Sequence, residues 1–215
     1  MERLWLILLC AALPLRGAEP PAEPGPVITP GEGDAAWRAL FVALAAKGAV
    51  VSAYTERRWF AFRHAPVVLK GEMRFLPARG LSLDYQEPEA RMVIVDEKGL
   101  LLRDARGHTR GIAAGDPRAM ASLAALLPVM RFDFATLERT FEVHAARTGA
   151  AWRLDFVPRA PEEQRTLGRL VVEGEEEAVR RLEFRRSARQ YVEILLSETR
   201  TGVVFTSEEE KRYFR

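Results

Sequence analysis

The residues that could carry covalent or acid–base chemistry are few and scattered. His64, His108 and His144 lie far apart, and none stands at metal-ligand spacing from another. Asp84, Asp96, Asp104 and Asp155 fall at strand positions or turns. A general acid and base must face each other across a substrate, and no spacing here selects such a pair. The chain contains no G-x-S-x-G, H-E-x-x-H or G-x-x-x-x-G-K. The acidic run Glu173 to Glu177, broken by Gly174, reads as a hairpin turn with solvated charges. The stretch from Arg180 to Arg189 balances it in sign and holds too few aromatic residues for a base-stacking platform. With a net charge of +2, nothing calls for nucleic acid as a partner. No enzyme, metal or cofactor is expected. What remains to be placed is the chain's large set of apolar side chains.

The elements that would place them begin with Pro66 to Asp104, which reads as four short strands separated by turns. Val67, Leu69, Met73 and Phe75 share one parity while Lys70, Glu72 and Arg74 hold the other. That period of two marks a sheet with one apolar and one wet face. Leu81-Ser82-Leu83-Asp84-Tyr85 repeats the alternation, and Met92 to Val95 and Leu100 to Leu102 are more continuously apolar. Strands joined this tightly form an antiparallel meander, because a parallel crossover needs about a dozen residues or more. The apolar face is read as lining a concavity that accommodates lipid.

Before the meander, Asp34 stands as a helix N-cap, with Trp37, Leu40, Phe41 and Leu44 on one helical face and Gly48 closing the element. Its polar face is too poor in Lys and Arg for a membrane-surface helix. Val50 to Arg63 suits one long strand carrying Tyr54, Trp59, Phe60 and Phe62. After the meander, Asp116-Pro117 starts a helix with Met120, Leu123, Ala124 and Leu127 as its stripe and Pro128 as its stop. A shorter helix begins at Asp133, with Phe134, Leu137 and Phe141 inward. Trp152-Arg153-Leu154-Asp155-Phe156 alternates cleanly, and Arg169 to Glu173, Val179 to Arg185, Tyr191 to Ser197 and Thr201 to Phe205 are further strands. Glu208 to Arg215 is a short helical or ragged end. About ten strands around a helical insert predict an α+β, mainly β fold, a large curved antiparallel sheet with helices against one face.

The N-terminus has its own logic. A charged start, an apolar run of roughly ten residues and small residues at 17 and 18 describe a secretory signal peptide over residues 1–18. The run is too short for a membrane span of about 20 residues, and no stable span is expected elsewhere. Cys10 follows Leu8-Leu9 rather than a small residue, which argues against acylation there. Cleavage would remove the only cysteine, leaving an exported protein without thiol or disulfide chemistry. Residues 19–33 hold five prolines and three glycines and read as a flexible leader. Residues 34–215 form one domain.

The order of features resembles a family, the periplasmic outer-membrane lipoprotein carrier protein LolA, and in particular its divergent LolA-like branch. Val50-Val51-Ser52-Ala53-Tyr54-Thr55-Glu56 looks like the family's first strand, and Gly71-Glu72-Met73-Arg74-Phe75 resembles its G-x-hydrophobic-x-hydrophobic strand. Glu87-Pro88-Glu89 with Val93-Ile94-Val95-Asp96-Glu97-Lys98 resembles its Q/K-P-x-E … V-S-D-G-K segment. Phe132 to Phe141 and Trp152 to Pro158 match the divergent branch's Phe-Asp helix and Trp-x-Leu-x-Leu-x-Pro strand. The family's Arg-Pro pair, whose arginine holds the lid closed, is replaced by Leu76-Pro77-Ala78-Arg79-Gly80. Arg79 is displaced, and the lid role does not transfer to it.

The resemblance implies an incomplete antiparallel β-barrel with about three helices in or over its concave mouth. It implies a soluble, monomeric periplasmic carrier that shuttles acyl chains of lipoproteins or a related lipid toward the outer membrane, between an inner-membrane donor complex and an outer-membrane acceptor. Tyr54, Phe60, Phe62, Val67, Leu69, Met73 and Phe75 on the first strands would line the cavity, with Leu81, Leu83, Tyr85, Trp152, Leu154 and Phe156. Trp37, Leu40, Phe41, Leu44, Met120, Leu123 and Leu127 would form the lid. The alternative is a non-transporting LolA-like module of the envelope that senses lipid or binds a protein.

Overall fold

Val67, Leu69, Met73 and Phe75 do share a face, the inner face of a single curved antiparallel sheet. The computed structural model describes residues 23–28, 34–112 and 126–215. The expected signal peptide, Met120 and Leu123 lie outside them. The chain opens with α1 (Ala35–Ala45). It then runs through β1 (Val50–Trp59), β2 (Val67–Leu76), β3 (Gly80–Glu87), β4 (Arg91–Asp96), β5 (Gly99–Asp104) and β6 (Thr109–Ile112). Helical residues 126–131, here α2, lead to α3 (Phe134–Thr140), β7 (Phe141–Thr148), β8 (Ala151–Pro158) and α4 (Pro161–Leu167). The chain ends with β9 (Arg169–Glu175), β10 (Ala178–Ser187), β11 (Gln190–Thr201) and α5 (Ser207–Tyr213).

The strand order is β6-β5-β4-β3-β2-β1-β11-β10-β9-β8-β7, so the two meanders are joined where β1 pairs with β11. The end strands β6 and β7 do not pair with each other, which leaves the barrel incomplete, as expected. Opposed residues share a face. Glu56 therefore begins an inner row that continues through Ile194, Leu182, Val172, Leu154 and Ala145. Leu40, Phe41 and Leu44 of α1, Leu126, Leu127 and Val129 of α2, and Leu137 of α3 close over this surface in one core. Asp133 caps α3 by accepting from the Thr136 amide. Within the wall, Trp152 lies across Gly174, where a Cβ would come within 2.3 Å of the indole. No described helix is long and apolar enough to cross a membrane.

The convex face is charged. Across β8 to β1, Arg153 bonds Glu173 at 3.2 Å, Arg181 bonds Glu173 at 2.8 Å and Glu193 at 2.7 Å, and Arg57 bonds Glu193 at 3.3 Å. Such partly wet pairs contribute about 0–1 kcal/mol each. Over the β2–β5 half, α5 takes that side. Its capping box is Thr206 with Glu209, the Arg74 guanidinium lies 3.6 Å over the Tyr213 ring, and Phe214 is buried against Phe205. The C-terminal helix thus packs on the outer surface, not at the mouth.

Arg215 fastens this helix by donating to Asp96 at 2.7 Å. Burial alone would raise the Asp96 carboxyl, but hydrogen bonds from Arg215 and the Lys98 amide outweigh it and hold the group below its ordinary value. A depressed pKa contributes stability that is present above the unfolded value of about 3.9 and is lost as pH falls through the folded one. Arg215→Ala should therefore flatten the acid limb of stability against pH and speed hydrogen exchange in α5, read by mass spectrometry at several pH values.

Several expectations are corrected. Phe141 is the first residue of β7 rather than part of a helix, because Phe141, Val143 and Ala145 alternate inward against Glu142 and His144. The last expected strand does not form, since β11 ends at Thr201 and Gly202, at φ +66°, turns the chain away. Pro128 does not stop α2. Helical backbone continues to Arg131, because proline's fixed φ is itself helical. β1 ends at Trp59, so Phe60 and Phe62 lie beyond it. Residues 25–28, read as part of a flexible leader, run along β7. Ile28 donates to Val143, Ala145 donates to Pro26, and Val27 bridges His144. The leader thereby covers an edge whose unpaired amides would otherwise invite another strand.

Candidate functional site

Between α1, α2 and the upper part of the sheet lies a cavity of about 390 Å³. Leu44, Val50, Met73, Phe75, Val129, Phe132, Val179, Leu182 and Leu196 make its walls, and Lys47, Arg131, Glu177 and Arg180 stand at its rim. Ligand cavities run from about 300 to 1,000 Å³ with mainly apolar linings. Of the residues expected in the wall or the cover, Leu44, Met73 and Phe75 border this cavity. Tyr54, Leu69, Leu81, Tyr85, Trp152, Leu154, Phe156, Leu40, Phe41 and Leu127 are buried in the filled core beside and below it. Val67, Leu83 and Trp37 pack partly buried against that core. Phe60 sits at the far end of the barrel, and Phe62 is 83% exposed.

The cover is held at two points. Phe41 of α1 is an aromatic hub, with ring centroids 4.8 Å from Phe134, 6.0 Å from Phe132 and 6.4 Å from Phe156 of the sheet. Arg131 at the end of α2 reaches across the mouth. Its Nε donates to the Pro77 carbonyl at 3.1 Å and its Nη2 to Glu97 at 3.1 Å, joining α2 to the β2–β3 and β4–β5 turns. Arg79 instead meets Glu210 of α5 at 3.3 Å, on the other side of the sheet. Arg131→Ala should loosen α2 without unfolding the sheet. Removal of two partly exposed hydrogen bonds costs about 1–2 kcal/mol, visible as faster amide exchange confined to 126–131.

Below the apolar cavity the inner face carries a polar cluster. The Tyr85 hydroxyl donates to Glu56 Oε2 at 2.7 Å and accepts from Arg58 Nη2 at 3.2 Å, and Arg58 Nε donates to Glu56 Oε1. Tyr54 stands edge-on to Tyr85 at 5.6 Å, opposite Gly71, and its buried hydroxyl has no partner among the described residues. Burial pushes the Tyr54 phenol up, reinforced by Tyr85 and Glu56, and burial followed by Glu56 does the same to Tyr85. A raised folded-state pKa contributes stability that is complete below the unfolded value of about 10 and is lost as pH rises above it. In an alkaline titration, tyrosinate absorbance from these two side chains should appear only as the protein unfolds, and Tyr85→Phe should remove its share of that step.

Beyond the cluster, at the end away from the cover, Glu56, Arg58, Phe60, Leu167, Phe184 and Val192 border a second opening of about 450 Å³. Glu56, Arg58 and Arg131 were not among the expected site residues. The first two carry a signal, since they continue the inward parity of Ser52 and Tyr54. Arg131 carries none.

The elements define an open β-barrel covered by helices, with an apolar hollow under the cover. Residues 30–209 match the model of the family described as outer membrane lipoprotein carrier protein LolA-like, and the chain belongs to that family. No curated protein matches the sequence. Among solved structures it is similar to a putative outer membrane lipoprotein-sorting protein domain from Vibrio parahaemolyticus, at 8% identity and TM-score 0.42 over 81% of this chain and 95% of that one. It is similar to a LolA superfamily protein from Nitrosomonas europaea, at 8% identity and TM-score 0.41 over 83% and 97%. A third is the MucA/MucB complex of Pseudomonas aeruginosa, at 14% identity and TM-score 0.41, covering 80% of this chain and 58% of that one.

Proposed function

We propose that this protein is a periplasmic carrier that holds an acyl chain of a lipoprotein or related lipid in the cavity beneath α1 and α2. The carrying observation is that cavity, about 390 Å³ and walled by Met73, Phe75, Val129, Val179, Leu182 and Leu196. Membership of the LolA-like family supports the same reading. Moving an acyl chain through water exposes each methylene at about 0.8 kcal/mol, so a carrier needs only apolar surface and a cover that opens. A donor at the inner membrane and an acceptor at the outer membrane complete the proposal, and export by the N-terminal signal places the protein between them.

The test is lipid extraction and native mass spectrometry of the purified protein, together with release of a lipoprotein from spheroplasts. Val179→Trp, a substitution on a partly buried wall, should fill the cavity and reduce bound lipid about tenfold or more, on a loss of roughly 1.5–3 kcal/mol of apolar burial by the ligand. No bound lipid and no release by the wild type would sink the carrier reading. A second reading, a non-transporting lipid sensor or protein-interaction module, draws on the cavity's size near the lower end of the usual range. Val179→Trp separates the two, since a surface-mediated partner contact would survive it.

A further inference from the structure

Arg153, Arg169 and Arg181 of β8 to β10 are ion-paired. Three arginines without such a pair gather at one place. Trp59 and Tyr191 are paired residues at the adjoining ends of β1 and β11, so the 60–66 connection and the β10–β11 turn emerge side by side. Together they present Arg63, Arg186 and Arg189, all exposed and none ion-paired with a described residue. Of the acids at this end, Glu87 and Glu162 are bound to Lys70 and Arg165, while Glu89 and Glu163 have no ion pair with a described residue. Among these cations stands Phe62, 83% exposed, its ring 5.6 Å from Phe60. Phe60 in turn borders the second opening, about 450 Å³, which leads in toward Glu56 and Arg58.

We propose that this end of the barrel docks on an anionic lipid bilayer, with Phe62 inserted at the interface and Arg63, Arg186 and Arg189 on the headgroups. The partner follows from the chemistry. An exposed aromatic side chain at the tip of a connection is suited to the boundary between headgroups and acyl chains. Cations without counter-charges supply attraction to a negative surface that falls off within a Debye length. The second opening, bordered by Phe60 and Arg186, would then face the headgroup layer. None of this depends on what the upper cavity holds.

The experiment is co-sedimentation of the mature chain with vesicles of phosphatidylcholine alone or mixed with phosphatidylglycerol. Binding is expected to the mixed vesicles, and it should weaken as salt is raised. Phe62→Ser should lower partitioning about tenfold. Arg186→Glu with Arg189→Glu should lower it about fivefold or more per residue. Phe62 is exposed, so its variant should melt as the wild type does, which separates lost docking from lost folding. No binding to the mixed vesicles, or binding by Phe62→Ser equal to the wild type, would overturn the proposal. Lipid extraction tests the carrier function separately: a protein that purifies with lipid yet ignores both vesicle types removes the docking surface and leaves the carrier reading standing.

Discussion

Phe41→Ala is expected to destabilise the protein by about 3–5 kcal/mol, the usual range for emptying a buried phenylalanine site. The ring is 1% exposed and sits where three parts of the chain meet. It joins α1 to Phe132 behind α2, to Phe134 at the start of α3, and to Phe156 on the sheet. Edge-to-face contacts add to its area burial by about 0.5–1.5 kcal/mol each, and none of these neighbours can collapse far without moving a helix. For a chain of this size the loss should lower the melting temperature by roughly 10 °C. The variant also distinguishes a cover from an ordinary core helix. If α1 is a separable cover, amide exchange should accelerate first in 35–45 and 126–140 while the strands stay protected. A uniform loss of protection would show instead that the helices and sheet open as one unit.

The sheet was legible because its signal is local. Leu69 to Phe75 and Leu81 to Tyr85 alternate, and that alternation leaves only one face for Met73, Phe75, Leu81 and Leu83 to bury. The family's motif order then set the curvature and the place of the helices. What could not be read depends on the chain's geometry beyond nearest neighbours. β7 was hidden because Phe134, Leu137 and Phe141 also satisfy a helical spacing, and only the pairing of Phe141 with Pro158 decides for a strand. The position of α5 on the outer face rests on Tyr213, Phe214 and Arg215 meeting Arg74, Phe205 and Asp96, contacts with no local sequence pattern. The cavity is subtler still. Met73 and Leu81 carry the same inward parity and the same apolar chemistry, yet Met73 borders the hollow and Leu81 does not. Side-chain type predicts which residues face inward. How far the helices stand off the sheet, here fixed partly by Arg131 on Pro77 and Glu97, decides which of them leave a space.

Glu56→Ala should cost nearly as much as the loss of Phe41, about 3 kcal/mol or more, for a different reason. Glu56 is 2% exposed on the inner face, between Leu69 of β2 and Ile194 of β11, where an isolated carboxylate would not be tolerated. It is tolerated because Arg58 and the Tyr85 hydroxyl both donate to it. Breaking a buried pair by removing one partner leaves the other charge uncompensated, at a cost of about 3–5 kcal/mol. Arg58 is 34% exposed toward the second opening and recovers some hydration, which places the value at the lower end. Glu56→Gln keeps an acceptor for Tyr85 and should cost about half as much. Replacing the whole cluster by apolar residues, Glu56→Leu with Arg58→Met and Tyr85→Phe, should restore most of the loss, because a filled apolar interior needs no charge pair. Chemical denaturation of the four proteins gives these differences directly. A triple variant as unstable as Glu56→Ala would mean that the cluster fixes the register of β1 against β2 and β11, rather than merely neutralising a charge on the inner wall.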